Sequence, residues 1–434
     1  MHNDIYITGH RNPDLDSVCS AYAYAELKNK IDKDNHYIPV RCGHLSDSIL
    51  RIIDTLKLKD IPVYMRDVFP KISDVLLLSK AYIEADSPIS DIASSYEKDD
   101  PPVIPVFEKG EFYGLLSTDD ISHWYLRTLK EKGAVDRVPT VREIMSSQEE
   151  PVFKDELYED AKKMLSSSKK RGLAVFDEKG YMGYVSRRCF LETPRYNLIL
   201  VDHNEPKQSI MGIETANIVE IIDHHRLDSV KTDLPIFIDA EPVGSTCTIV
   251  YQLFKRNGLV PEENTARMLL CGITADTLIL KSPTTTAIDV SSAEELTKML
   301  NTDLYEFGLS MFASVKGLKE RDPLKAVESD FKSYNDKGVK FGIGQCEVTT
   351  LGDINEYRDI YLEALDEVKK QNGLDWAVLM ITDVLKEHSL LLCTAYKGNK
   401  HLSYEKISEF VFDMPGVMSR KKQLLPEIIH AINV

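Results

Sequence analysis

The sequence predicts an α/β protein: a discontinuous, doubly wound parallel sheet, interrupted by a duplicated insert and followed by a smaller C-terminal α/β domain. Three observations predict it. Short apolar runs alternate with helical stretches toward both ends of the chain, the pattern of strands joined by crossover helices. A segment between them repeats itself. Clusters of Asp and His come straight after several of the strands, where open parallel sheets place their ligands.

The first strand is expected at 5–8, with a loop at 9–16 and an Ala-rich helix at 17–30. Further strands at 37–40, 197–201, 218–222 and 236–238 alternate with helices at 46–58 and 264–275. Between 65 and 194 the character changes, and Val106 to Ser117 (VFEKGEFYGLLS) matches Val175 to Ser186 (VFDEKGYMGYVS). Each copy is expected to carry an early strand, a polar helix (89–97 and 156–166), a hairpin and a Gly-x-x-Ser exit into another helix. Strands at 340–348 and 376–383, flanking a helix at 354–371, read as the C-terminal domain. The expected boundaries are 1–64 and 197–315 for the split sheet domain, 65–196 for the insert and 320–434 for the last domain, with a linker between 313 and 323.

Composition agrees with several folded domains. The 434 residues are 43% apolar and 28% charged, which points to neither disorder nor a fibre. No stretch of about 18 apolar residues occurs and the N-terminus has no basic-then-apolar leader, so a cytoplasmic protein without a membrane segment is expected. Seven scattered cysteines read as reduced thiols. A formal net charge of −16 argues against nucleic acid as a partner, because phosphate neutralisation needs a basic face. It does not exclude a small phosphate substrate, since bound divalent cations invert the local field.

The chemistry is concentrated in four stretches. His10, Asp14 and Asp16 share one loop, stiffened by Pro13; Asp202-His203-Asn204 and Asp223-His224-His225 each follow a strand; Asp276 ends an apolar helix. A lone Asp after a strand is usually a turn former or helix cap. Four such clusters at the ends of one sheet make a mixed nitrogen and oxygen site suited to Mn²⁺ or Co²⁺ more than to thiolate-loving zinc. The count of carboxylates and imidazoles suffices for two metals sharing a bridging carboxylate.

These motifs, His10-x-x-Pro-Asp14-x-Asp16-Ser17, Asp202-His203-Asn204 and Asp223-His224-His225-Arg226, resemble those of the DHH phosphoesterase superfamily. The C-terminal Ser419-Arg420-Lys421-Lys422-Gln423 resembles the signature of its family II inorganic pyrophosphatases. With the insert, the chain resembles their CBS-domain-containing branch. The resemblance implies that His10, Asp14 and Asp202 hold one metal and Asp16, Asp202, His224 and Asp276 the other. It also implies that His225 faces the substrate and that Lys332, Arg420 and Lys421 bind pyrophosphate across an interdomain cleft. Two divalent metals per site and Mg²⁺ with the substrate are expected on the same ground; a homodimer is a separate expectation that the resemblance does not decide. A short-chain polyphosphatase or an oligonucleotide phosphodiesterase of the same superfamily is the alternative, and a nucleotide sensor without catalysis is a third reading.

The repeat resembles a tandem pair of CBS modules, which implies AMP, ADP or ATP as regulatory ligands. Gly114, Ser117 and Asp120 match the phosphate- and ribose-binding stretch in the first copy. In the second, Gly183 and Ser186 match, but Cys189 stands where an Asp is expected, so one ribose contact is missing.

Overall fold

A computed structural model of the chain describes residues 3–79, 82–93, 103–145, 151–168, 170–227, 231–313, 317–348, 350–384 and 386–434. Its contacts separate two units, one made of Met1–Asp67 with Asn197–Val434 and the other of Val68–Tyr196.

In the first unit six strands lie in the order Phe237–Ala240, Asn217–Asp223, Asn197–Val201, Asn3–Thr8, Asn35–Arg41, Val63–Tyr64. Every neighbouring pair is parallel, so each connection is a crossover rather than a hairpin. The chain starts in the middle, winds to one edge, and after the insert winds to the other. That reversal leaves a switch point between Asn3–Thr8 and Asn197–Val201, where loops diverge and a crevice opens beyond the carboxyl ends.

The helix Leu15–Ile31 buries Val18, Cys19, Ala21, Ala23, Ala25 and Leu27. Its small side chains let the helix Glu263–Asp276 pack closely, with Met268, Leu269, Cys271 and Ile273 fully buried. At about 1.5–3 kcal/mol for each large buried aliphatic, this core is a stiff floor under the strand ends. The helix expected at 46–58 stops at Thr55, because Lys57 takes a left-handed backbone with φ of 52°.

Further along the same unit, a mixed sheet runs Phe331–Asp336, Val339–Val348, Trp376–Asp383, His388–Cys393, Val411–Pro415, Glu405–Ser408. All eight residues of Trp376–Asp383 are buried, since both faces are covered. Ala377, Leu379 and Ile381 pack with Tyr361, Leu365 and Val368 of the helix Ile354–Gln371. Trp376, Val378 and Met380 pack with Leu424, Ile428 and Ala431 on the other side. The linker expected at 313–323 lies partly outside the described residues.

The second unit contains two copies of one module. Ile83–Glu84, Val103–Glu108 and Glu111–Ser117 form one three-stranded sheet; Val152–Phe153, Gly172–Asp177 and Gly180–Ser186 form the other. The hairpins pair in the same register, Val106 with Gly114 and Val175 with Gly183, and carry a bulge at the same place. Phe112 and Tyr181, equivalent positions of the repeat, stack with centroids 4.4 Å apart, so a pseudo-two-fold axis passes between them. Of the polar helix expected at 89–97, Ser90–Ala93 is helical and 94–97 lie outside the described residues. The first copy exits into the helix Thr118–Lys132. The second does not exit into an α-helix but into a four-residue 3₁₀ turn, Arg187–Phe190. Among the described residues no helix is long and apolar enough to cross a membrane.

Candidate metal centre

Each Asp and His stretch is delivered by a backbone feature that the strands and helices dictate. Asp14 caps the helix Leu15–Ile31, its Oδ1 accepting from Ser17 N at 2.9 Å, which turns Oδ2 toward His10 Nε2 at 3.2 Å. Asp16, in the first turn of that helix, is completely buried. Asp202 follows Asn197–Val201 in a left-handed conformation with φ of 59°, a cost that Asp bears better than most residues. His224 donates from Nδ1 to Val243 O at 3.1 Å. A carbonyl can only accept, so the proton is on Nδ1 and the lone pair of Nε2 is aimed at Asp202.

Asp276 is the last residue of its helix, an unfavourable end for a carboxylate because the helix dipole is negative there. The next residues, Leu278, Ile279 and Leu280, all have positive φ, of 49°, 57° and 61°. Such backbone costs about 1–2 kcal/mol per residue; it persists because Leu278 and Ile279 are buried in the main core. Ser282 to Thr285 form a turn closed by Thr285 N donating to Ser282 O at 2.9 Å.

These side chains converge. His10, Asp14 and Asp202 place one ligand atom each within 4.8 Å of one another, as do Asp16, Asp202, His224 and Asp276, and also Asp202, His224 and His225. Asp202 belongs to all three groups: its Oδ2 is 3.4 Å from His10 Nε2, and its Oδ1 is 3.4 Å from His224 Nε2. His224 Nε2 is 3.6 Å from Asp276 Oδ2. Asp202 Oδ2 and His224 Nε2 are buried with no hydrogen-bond partner among the described residues.

The electrostatics are those of a site built for cations. Burial and the charge of Asp202 push Asp16 up to about 7. Burial and the neighbouring Asp16 and Asp14 raise Asp276 as well. Burial opposes ionisation of Asp202, yet the neighbouring imidazoles of His10 and His224 hold it well below the usual carboxylate range. Against burial, Asp14 raises His10 to about 10 and Asp202 raises His224 to about 10. Fully ionised, the four crowded carboxylates would carry four negative charges, which two divalent cations would offset. Leaving such charges uncompensated costs several kcal/mol each, so the donor set fits a metal pair.

Comparison with known proteins agrees with this geometry. The profile of the DHH family, N-terminal domain, matches residues 4–273, and that of the DHHA2 domain matches residues 309–431. The chain belongs to the DHH family, among the family II inorganic pyrophosphatases. It is 37% identical to the manganese-dependent inorganic pyrophosphatase of Methanothrix thermoacetophila, over 53% of this chain and 76% of that one. It is 26% identical to the cobalt-dependent inorganic pyrophosphatase of Clostridium perfringens, over 100% of this chain and 99% of that one. Among solved structures, a Methanococcus jannaschii protein assigned to the family II inorganic pyrophosphatases superposes with a TM-score of 0.61 at 22% identity, covering 99% and 100% of the two chains.

The DHH motif itself divides its labour. His203 donates from Nδ1 to Val201 O and accepts at Nε2 from Ser209 Oγ, both at 2.9 Å. Burial pulls it down to about 4, so it is a neutral strut rather than a ligand. Asn204 Nδ2 donates to Asp223 Oδ2 at 2.6 Å, and Asp223 Oδ1 accepts from His225 Nδ1 at 2.8 Å. That relay fixes the His225 ring and leaves Nε2 as its second working nitrogen.

The expected cations of the C-terminal domain come from two elements. Arg420 and Lys421 open a π-helical turn, Arg420–Leu424, a rare geometry found mostly at functional sites. Arg420 is buried, with Nη1 donating to Asp330 O at 2.7 Å and paired with Asp330 Oδ1 at 2.8 Å; its Nε is buried without a partner among the described residues. Lys332 lies on the strand Phe331–Asp336. Desolvation and the charge of Lys332 press Lys421 below the usual lysine range, while Asp276 and Asp202 pull it back. Lys421 therefore senses both the other cations and the carboxylates. Lys422 Nζ donates to Pro283 O at 3.1 Å and Lys281 Nζ pairs with Glu387 at 3.2 Å, tying this domain to the turn after Asp276.

In the insert, Ser117 and Asp120 bond to each other. Asp120 Oδ2 accepts from Ser117 Oγ at 2.5 Å, and Ser117 Oγ accepts from Asp120 N at 3.2 Å, a capping box on the helix Thr118–Lys132. In the second copy Cys189 Sγ takes the place of that carboxylate, accepting from Ser186 N at 3.2 Å.

The sequence shows Asn204 and Asp223 within their motifs without disclosing a role for them, and it gives no sign of a role for Asp330 or for the segment 243–247. Asp330 next to Lys332 was legible only as a local acid, because its partner Arg420 is far along the chain. The loop carrying His10 and Asp14 also leans on Gly43, where a Cβ would stand 1.9 Å from Arg11 O and 2.6 Å from Pro13 Cδ. Gly43→Ala must displace that backbone. It is expected to cost about 1–3 kcal/mol, read as a lower melting temperature of the metal-free protein; an unchanged melting temperature would contradict the packing described.

Proposed function

We propose that the chain hydrolyses inorganic pyrophosphate to two phosphates, using a pair of divalent cations, Mn²⁺ or Co²⁺, held by His10, Asp14, Asp16, Asp202, His224 and Asp276. The observation that carries this is Asp202, one buried carboxylate shared by three groups of potential ligands. When bound, such a metal pair supplies positive charge to the phosphoryl oxygens and activates the attacking water.

The remaining steps belong to side chains of this protein. The transferring phosphoryl group spreads its charge over its oxygens, so positioned cations contribute most of the rate. Lys421 and Lys332 meet the pyrophosphate as point charges, and Arg420 offers the planar donor edge that its pairing with Asp330 leaves free. His225, held through Asp223, orients against a phosphoryl oxygen with Nε2. Mg²⁺ accompanies the substrate. With carboxylates on one domain and cations on another, substrate completes the site by drawing the two together.

The insert is read as a CBS pair that binds adenine nucleotides and alters turnover. Its duplication, the shared register of its hairpins and the match of Ser117 and Asp120 to the nucleotide-binding stretch support this. Because Cys189 replaces the second carboxylate, one nucleotide per pair is the favoured stoichiometry. Binding can regulate only if the nucleotide prefers one conformational state of the enzyme over another.

Three outcomes are expected. Asp202→Asn lowers turnover by about 10²–10³-fold, the scale of losing one preorganised charge-stabilising group; near-normal phosphate release would remove Asp202 from the centre. Lys421→Ala raises KM by about 10–100-fold, as loss of a charged hydrogen bond does, and unchanged kinetics would count against its contact with substrate. AMP, ADP or ATP changes the rate by about 5–150-fold, and equal rates with nucleotide demonstrably bound would exclude regulation.

A further inference from the structure

One segment outside the ligand cluster touches three of its members at once. Val243 O accepts from His224 Nδ1 at 3.1 Å. Ser245 Oγ donates to Asp16 Oδ1 at 2.5 Å, Thr246 N donates to Asp16 Oδ2 at 2.6 Å, and Cys247 N donates to Asp16 Oδ1 at 3.0 Å. Thr246 Oγ1 then donates to Asp202 Oδ1 at 3.1 Å. Ser245, Thr246 and Cys247 are fully buried and begin the helix Thr246–Arg256, whose free first-turn N–H groups suit a carboxylate.

We infer that Thr246 is a positioning residue that sets the relative orientation of the Asp16 and Asp202 carboxylates, and that Asp289 locks it in place. The inference rests on the metal-centre reading above. Thr246 is the one residue of the segment that bonds both acids, the first through its amide and the second through its hydroxyl. By engaging Asp202 Oδ1, the hydroxyl stops the carboxylate from rotating about its own axis. The other oxygen, Oδ2, then keeps its aim at His10. Without this bond a left-handed Asp202 would have no described side-chain donor besides imidazoles that are themselves ligand candidates.

Asp289 anchors the segment from behind. Fully buried, it accepts from Gly244 N at 2.8 Å, Thr248 Oγ1 at 2.6 Å, Thr286 N at 2.7 Å and Thr286 Oγ1 at 2.7 Å. Its partners Gly244 and Thr248 flank the three residues that hold Asp16. Gly244 permits the approach, since a Cβ there would stand 2.7 Å from Thr277 Cγ2 and 3.0 Å from Asp289 Oδ2. Asp289 has no place in the ligand cluster, and its acceptor capacity is spent on this segment and on the cap of the helix Ala287–Leu300.

The test is Mn²⁺ titration of the metal-free full-length protein by calorimetry, with the electron paramagnetic resonance signal of the loaded pair and the melting temperature of the metal-free form. Thr246→Val keeps the shape and the amide and deletes the hydroxyl alone. It is expected to weaken Mn²⁺ binding by about 10–100-fold, the usual effect of removing a group that orients a ligand, and to alter the coupling between the two ions, while the metal-free protein still unfolds in one cooperative transition. Thr246→Ser is expected to restore both, and Asp289→Asn to weaken Mn²⁺ binding as well. If Val is not tolerated, Thr246→Ala makes the same deletion with Thr246→Ser as its restoring partner. Wild-type affinity and coupling in Thr246→Val would overturn the inference alone; a wild-type chain that takes up no Mn²⁺ would overturn the metal centre together with it.

Discussion

The burial of several carboxylates around Asp202 is the constraint on which the rest of this protein depends. Asp16 and Asp202 are out of contact with solvent, and ionised groups in that position are costly unless matched by charge and hydrogen bonds. The surrounding architecture reads as the set of devices that make this burial tolerable: helix N-terminal amides on Asp16, imidazoles on Asp202, a capping bond on Asp14. In the proposed metal centre divalent cations would complete the balance and reverse the local field of an acidic site.

The same constraint explains the placement of the strained backbone. Left-handed residues occur at Asp202 itself and in the run Leu278 to Leu280 after Asp276, and both flank groups of the cluster. Strain at these points turns the chain abruptly, so that a side chain from a strand end and one from a helix end can share a few cubic ångströms. The core beneath, with Leu278, Ile279, Val384 and Met418 in one cluster, holds the bend. Val384 and Met418 come from the C-terminal domain, and so do Glu387 and Lys422, which reach Lys281 and Pro283. The turn that follows Asp276 is therefore the place where the carboxylate cluster and the C-terminal domain are mechanically linked.

The insert follows a different logic. Its two copies share a small aromatic core in which Phe107, Phe112, Phe176 and Tyr181 meet edge to face or stacked, and the repeat's symmetry is kept in register and bulge. It is broken at the exits, where Ser117 and Asp120 form the capping box of a long helix, while Ser186 and Cys189 stand at the start of only a short turn.

Much of this was legible along the chain. Strand periodicity followed by Asp and His announced a parallel sheet with ligands at its carboxyl ends; the strand Asn197–Val201 and the helix Ile354–Gln371 stand where hydrophobic patterning puts them, because local pattern and burial agree there. The repeat was visible because duplication leaves its mark in the order of residues itself. What the order of residues could not disclose is which groups meet. That His203 is a strut while His224 points a free nitrogen at Asp202, that Arg420 leans on Asp330 ninety positions earlier, and that Thr246 links Asp16 with Asp202 are decided by the folded chain. Hydrogen bonds between side chains distant in sequence carry no local signature. Only packing brings their atoms within three ångströms, and only then does a donor acquire its acceptor.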